Sequence, residues 1–279
     1  MKMIRAFAKI NIFLEVTGVR PDGFHDIDTV MQTVSLCDDL YFAVNGSGVL
    51  SLDCPDVPGP QEKNLVWRAA RLYLDRAGLN DGIDIKVEKR IPQGAGLGGG
   101  SADAAAALRC LNGIYGAFSR DGLLALAAEL GSDVPFCVAG GAARAEGRGE
   151  ILSPLPRILP DCFIVTAKGG LSTSTAEAYK KIDALEYTPK INDTAGLFET
   201  GDLEKICRSA FNRFEDAAAF DREAADILSS HGALAARMTG SGSAVYGVFT
   251  DENRAEAAKD ELLRTKRFAA VCRPVRTEE

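Results

Sequence analysis

Paired metal-ligand motifs are what this chain most plainly lacks. It has two histidines in 279 residues, and its seven cysteines (Cys37, Cys54, Cys110, Cys137, Cys162, Cys207 and Cys272) are odd in number with no C-x-x-C spacing. That pattern argues against a zinc site and for reduced thiols in a cytoplasmic protein. No apolar run reaches the length needed to span a bilayer. The start, Met1-Lys2-Met3-Ile4-Arg5, passes directly into patterned sequence, so no signal or transit peptide is expected. A basic excess is also missing: the net charge is −7, which argues against nucleic acid as the partner. Internal repeats and low-complexity segments are absent. With 46% hydrophobic and 25% charged residues, the composition is that of a soluble chain with one large domain or two ordinary ones.

The most informative absence is a single lysine. The central stretch reads Pro92-Gln93-Gly94-Ala95-Gly96-Leu97-Gly98-Gly99-Gly100-Ser101-Ala102-Asp103, then four alanines and Leu108. Glycines without a Cβ turn several N–H groups toward one point, and the helix that follows adds its unpaired N-terminal N–H groups and dipole. This predicts a site for a polyanion, most naturally a nucleotide phosphate. A flexible linker would be Gly/Ser-rich on both sides, whereas this stretch lies between an alternating apolar run at 83–87 and an Ala-rich helix. Gly94, Gly96 and Gly99 fit the dinucleotide pattern G-x-G-x-x-G only weakly. The pattern G-x-x-x-x-G-K-[ST] fits at Gly94, Gly99 and Ser101, but Gly100 stands where its lysine belongs. A phosphate loop of this kind needs a cation from elsewhere in the chain.

Taken in order, residues 6–16 alternate as a half-buried strand, with Phe7, Lys9, Asn11, Phe13 and Glu15 on one face. Lys9 and Asn11 are then about 7 Å apart along it. They are either solvated surface residues or the polar lining of a cleft. A loop at 18–25 ends on Phe24-His25, which is either a packing pair or, beside a nucleotide site, an aromatic to stack on a base and a histidine to bond its edge. Strands are expected at 28–36, 39–44, 83–87, 162–166, 245–249 and 268–275. Helices are expected at 64–77 with Asn64 as cap, at about 101–113, and at 121–130 closed by a left-handed Gly131. Further helices are expected at 172–182 with Ser172 or Thr173 as cap, at about 202–210, at 221–231 and at 253–264. Asp133, in Ser132-Asp133-Val134-Pro135-Phe136, is an N-cap or a chemical group. Residues 140–149 read as a hairpin-like return, and Pro154, Pro156 and Pro160 mark a joint dividing 1–153 from 154–279. A second glycine-rich turn is Met238-Thr239-Gly240-Ser241-Gly242-Ser243-Ala244. Strands and helices alternate without a strict βαβ run, so the class is α+β.

Ala8-Lys9-Ile10-Asn11, the glycine stretch with Ser101-Ala102-Asp103, and Met238-Thr239-Gly240-Ser241-Gly242, in this order, resemble the three motifs of the GHMP kinase superfamily. Arg20-Pro21-Asp22-Gly23-Phe24-His25, Gly131-Ser132-Asp133-Val134-Pro135-Phe136 and Asn212-Arg213-Phe214-Glu215 extend the resemblance to those members that phosphorylate a cytidine diphosphate-linked methylerythritol. Phe24 stands where these usually have tyrosine, which keeps stacking and loses a phenol hydrogen bond. The resemblance implies a ribosomal-protein-S5-like N-terminal domain, a ferredoxin-like C-terminal domain and an active site between them. It supplies Lys9 as the missing cation and makes Lys9 and Asp133 catalytic, Lys9 keeping the Asp133 carboxylate ionised. ATP would lie on residues 92–102 with Asn64 and Lys89 near the adenine, and Ser101 would meet a phosphate oxygen or Mg²⁺. Asn11, Phe24, His25, Tyr179, Gly240 and Ser241 would meet the small-molecule substrate, although Gly240–Gly242 could equally be a structural turn. No membrane or nucleic-acid partner is implied, and the protein would be a monomer or homodimer. The alternatives are a homoserine or mevalonate type of kinase, or a catalytically silent nucleotide sensor.

Overall fold

The computed structural model of the protein describes all residues except Ser172, Thr173, Ile191, Asn192, Ala218 and 277–279. Its Cα packing forms two compact units. One holds Met1–Ala8, Cys37–Ile91 and Gly98–Ala139; the other holds Lys9–Leu36, Pro92–Leu97 and Gly140–Glu279. The proline joint at 154–160 lies inside the second unit. Two long strands, β1 (Lys2–Val19) and β2 (His25–Asn45), contribute residues to both units. β2 is continuous where the sequence suggests two strands. The acidic pair Asp38-Asp39 that breaks the apolar pattern is buried within it rather than looping out.

The first unit adds β3 (Leu50–Asp53), α1 (Leu65–Ala77), β4 (Gly82–Glu88), α2 (Gly99–Tyr115), α3 (Arg120–Leu130) and α4 (Val134–Ala139). β4 pairs antiparallel with β2, from Asp39↔Glu88 to Asn45↔Gly82, and parallel with β3. Its alternation is complete: Ile83, Ile85 and Val87 are buried while Asp84 and Lys86 are exposed, the period of a pleated strand. As expected, the Asn64 side chain caps α1, accepting from Val66 N–H at 2.9 Å. The four consecutive alanines Ala104–Ala107 are all buried, and their small side chains let α2 pack closely on α1 and α4. α2 begins at Gly99, two residues before the expected start, with Gly98 as its cap. Gly131 does end α3, but in extended backbone (φ 167°, ψ 158°) rather than the expected left-handed one. From there the chain turns directly into α4, with Val134 N–H donating to the Gly131 carbonyl at 3.2 Å.

The second unit adds β5 (Ala142–Glu146), β6 (Ile151–Pro154), β7 (Phe163–Lys168), α5 (Thr175–Asp183), α6 (Thr194–Glu199), α7 (Leu203–Ser209) and β8 (Phe211–Asn212). They are followed by α8 (Arg222–Ser230), β9 (Ala235–Met238), β10 (Val245–Phe249), α9 (Glu252–Arg264) and β11 (Phe268–Cys272). β5 pairs with β2 over Thr29–Gln32 and with β6, forming the expected return, and β8 runs parallel to β1. A separate antiparallel sheet has the order β11-β7-β10-β9. Its Val165, Ala167, Val245 and Phe249 pack with Leu228 of α8 and Ala258 and Leu262 of α9. β11 stops short of the expected residue 275 because Pro274 follows, and proline cannot donate to a ladder. The expected caps Ser172 and Thr173 lie outside the described residues; α5 is capped by Ser174 in a capping box with Glu177. The architecture is mixed α+β.

Candidate active site

In the second unit the polar face of β1 is not solvated. Lys9 and Asn11 are 4% and 2% exposed. Both faces of the strand are covered from Ala8 to Val16, so the half-buried expectation is corrected, and the surface alternative for these two residues fails. The backbone N–H of Lys9 donates to the carbonyl of Leu97 at 3.0 Å, placing β1 against the glycine stretch. The Nζ of Lys9 donates to Asn11 Oδ1 at 2.9 Å. The neighbours of Asn11 fix which way its amide points. The Thr29 hydroxyl donates to the Phe13 carbonyl at 2.6 Å, so it must accept from Asn11 Nδ2 at 2.9 Å. Oδ1 therefore faces Lys9, and it also accepts from Gly240 N–H at 2.9 Å and from the Thr239 hydroxyl at 3.2 Å.

The two glycine turns interlock. Gly96 (φ 76°) leaves no space for a Cβ, which would lie 2.2 Å from the Thr239 carbonyl oxygen. A Cβ on Gly240 (φ 57°) would come within 3.0 Å of the Gly96 carbonyl oxygen. Ala244 N–H donates to the Ala95 carbonyl at 3.0 Å, and Asn212 Nδ2 donates to the carbonyls of Met238 and Gly240 at 2.9 and 2.8 Å. The turn at Gly240 thus backs residues 92–97. The Ser241 hydroxyl lies 3.0 Å from that of Thr175.

Phe24 and His25 diverge. Phe24 is 54% exposed, with the Arg148 guanidinium 5.1 Å from its ring centroid. His25 is buried, stacked on Tyr179 at 4.3 Å between centroids and 20° between planes, with Nε2 2.7 Å from Asp183 Oδ1. Tyr179 in turn meets Phe214 edge-on at 5.0 Å. Tyr179 therefore packs on His25 itself.

In the first unit, Gly98 (φ 72°) opens α2 without any side-chain cap, and the first turn carries no acidic residue. Gly98 brings no side chain to cap the first N–H groups of this 17-residue helix, an arrangement that suits an anion. With Gly94 (φ 59°) and Gly96, three alternate glycines of the stretch have positive φ, the conformation only glycine adopts freely. Ser101 is half-buried in that first turn. Lys89 is buried between two carboxylates. It donates to Asp38 and, at 2.6 Å, to Asp103 Oδ2, and its Nζ is 3.4 Å from where a Gly99 Cβ would stand. Asp38 also accepts from the N–H groups of Arg90 and Ile91. Burial pushes the Asp103 carboxyl up to about 7 against the pull of Lys89. Burial also opposes the charge of Lys89, but the two carboxylates outweigh it and hold the ammonium above the ordinary lysine value. Asn64, whose Oδ1 is engaged as the α1 cap, borders a cleft of 260 Å³ with Cys54, Val57, Pro60, Gln61 and Lys63. Asp133 is half-buried immediately before α4.

Sequence reasoning did not single out Thr29, Asp38, Asp103, Asp183 or Thr239 as site-forming residues, nor the role of Asn212. Asp103, Thr239 and Asn212 lie inside quoted motifs, so their position was the available signal. Thr29, Asp38 and Asp183 act through partners 16 or more residues away.

Residues 64–141 match the family GHMP kinases N terminal domain and residues 195–267 match GHMP kinases C terminal. The chain is 41% identical over 266 residues to a 4-diphosphocytidyl-2-C-methyl-D-erythritol kinase of Gloeobacter violaceus, covering 91% of this chain and 87% of that protein. It is 37% identical over 272 residues to the protein of the same name from Syntrophomonas wolfei, covering 93% of each. A crystal structure of 4-(cytidine 5'-diphospho)-2C-methyl-D-erythritol kinase superposes with a TM-score of 0.82 at 34% identity, covering 98% of this chain and 100% of that one.

Proposed function

The chain belongs to the GHMP kinases, and from that premise we propose that it transfers the γ-phosphoryl group of ATP to the 2-hydroxyl of 4-diphosphocytidyl-2-C-methyl-D-erythritol, giving ADP and the 2-phosphate in the non-mevalonate route to isoprenoid precursors. One observation carries the mechanism: the glycine stretch lacks its own lysine, and β1 brings Lys9 against it through the bond from Lys9 N–H to the Leu97 carbonyl. Phosphoryl transfer passes through a loose transition state, so positioning and charge neutralisation do most of the catalysis. The N–H groups of residues 94–100 and the start of α2 hold phosphates. Lys9 supplies positive charge in a setting where Asn11 fixes its direction. Asp133 accepts the proton of the attacking tertiary alcohol.

The cleft beside Asn64 takes the adenosine end of the nucleotide. Lys89, committed to Asp38 and Asp103, supports the start of α2 more than it contacts a base. Phe24 offers its open face to the cytosine and His25 reads its edge. The Ser101 hydroxyl would be the protein's contact to Mg²⁺ or to a phosphate oxygen. Among the described residues no group of three or more His, Cys, Asp or Glu side chains gathers to hold a metal. Bound there, Mg²⁺ supplies further charge neutralisation.

The test is ATP consumption by the purified protein with 4-diphosphocytidyl-methylerythritol, its uridine counterpart, free methylerythritol phosphate, homoserine and mevalonate. Turnover of the cytidine compound alone supports the whole reading. Turnover of homoserine or mevalonate discards the substrate, and nucleotide binding without turnover of any of them replaces the enzyme with a sensor.

A further inference from the structure

His25 is held by two residues of one helix. Tyr179 stacks on its ring and Asp183 meets its Nε2. These partners are four residues apart on α5 and so lie on one stripe of the helix. The adjoining stripe, Ala178 and Ile182, is buried against Leu14 and Val16 of β1, which anchors α5 while it presents a flat face and a carboxylate to one imidazole. Asp183 is the last residue of α5. A negative charge at a helix C-terminus is disfavoured by the dipole, which prefers cations such as the neighbouring Lys180 and Lys181. Its bond to His25 gives an acid in that place a function.

We infer that Asp183 is a positioning residue for base recognition, setting which nitrogen of His25 carries hydrogen. The inference rests on the reading that His25 meets the base. A carboxylate only accepts, so Nε2 bears the hydrogen, and in the neutral ring Nδ1 keeps its lone pair for a ligand. Cytosine offers an amino donor at C4, where uracil offers a carbonyl oxygen. An Nδ1 acceptor attracts the first and repels the second. Without Asp183 the ring is free to carry its hydrogen on Nδ1 and to donate to a carbonyl, so the two bases become harder to tell apart.

The experiment is steady-state kinetics of the full chain, of Asp183→Ala, Asp183→Asn and His25→Ala, on the cytidine- and uridine-diphosphate forms of the substrate. Loss of a hydrogen bond to a charged group predicts that D183A raises KM for the cytidine compound about 10-fold. The cytidine-to-uridine ratio of kcat/KM should fall by about the same factor, with kcat and the KM for ATP within about twofold of the parent. D183N keeps the shape, but its amide can donate as well as accept, so its ratio should fall between the two. If H25A loses cytidine discrimination while D183A keeps it, Asp183 has no positioning role and the base-reading proposal stands. If H25A changes neither KM nor the ratio, the base-reading proposal itself fails and this inference falls with it. A D183A defect spread equally over the KM for ATP marks a purely structural role and also overturns it.

Discussion

Lys89 donates to Asp103 at 2.6 Å while also bonding Asp38, so one buried ammonium faces two buried carboxylates. Asp103 Oδ1 has no hydrogen-bond partner among the described residues, and burial pushes the group up to about 7. A carboxyl whose folded value lies above its unfolded value of 3.8 holds its proton more tightly when folded. Its contribution to stability is complete below pH 3.8 and is lost as pH rises through about 7. Asp103→Asn keeps the shape, removes the titration and leaves Lys89 paired with Asp38. Urea unfolding should therefore show the parent losing stability relative to D103N between pH 4 and 7, by on the order of 4 kcal/mol at most. Parallel pH profiles would show that Asp103 is ionised throughout.

Two glycines in one stretch should behave differently. A Cβ at Gly96 collides with the Thr239 carbonyl, whereas at Gly94 nothing lies within 4 Å. Gly96→Ala therefore has to push the two turns apart, and it should lower thermal stability by several degrees and abolish most activity. Gly94→Ala carries only the left-handed strain of about 1–2 kcal/mol, yet its methyl enters the space assigned to phosphate. G94A should fold and raise the KM for ATP. Equal thermal midpoints for the two variants would contradict the interlock.

Thr29 is far in sequence from the catalytic candidates, but it determines the direction of the Asn11 amide. Thr29→Val removes the acceptor for Asn11 Nδ2 and the donor to the Phe13 carbonyl. Leaving a buried amide unpaired should cost about 1–3 kcal/mol, read as a lower urea midpoint. With Nδ2 unpaired, only Gly240 N–H and the Thr239 hydroxyl still hold Oδ1 in place, so the amide directs Lys9 less firmly and kcat should fall as well. Thr29→Ser restores both hydrogen bonds and should recover kcat. A valine variant with parental kcat would show that the Lys9 direction does not depend on this amide.

Local rules carried far in this chain, and their failures are non-local. Asn64 as a cap, the alternation of β4 and the end of α3 at a glycine all follow from a few neighbouring residues. The burial of Lys9 and Asn11 does not. An alternating strand reads as one-sided, and the turns at Gly96 and Gly240, brought from 85 or more residues away, help Thr29 of β2 to bury the polar side. Gly131 shows the limit of a residue rule: glycine permits left-handed backbone at a helix end without requiring it, and here the chain runs on extended into α4. Ser174-Thr175-Ala176-Glu177 carried a readable capping box, whereas α6, β8 and β9 are too short to show a period. The pairing of His25 with Asp183 spans 158 positions and leaves no sequence trace.

Asp133 is the residue whose two readings can be separated most cleanly. It precedes the six-residue α4, with its carbonyl accepting Cys137 N–H at 3.1 Å, so it occupies the place of a helix cap as well as that of a chemical group. Asparagine caps a helix about as well as aspartate. Asp133→Asn therefore preserves any capping role while removing the negative charge and the ability to take a proton. If the carboxylate is the general base, kcat should fall about 10²–10⁴-fold with the urea midpoint unchanged. A loose transition state asks less of a base, and if the side chain merely orients the alcohol, the amide can still do so and kcat should fall only a few fold. Single-turnover rates, measured with ATP saturating and enzyme in saturating excess over the cytidine substrate, distinguish the two, because binding differences then drop out and the phosphoryl-transfer step is compared.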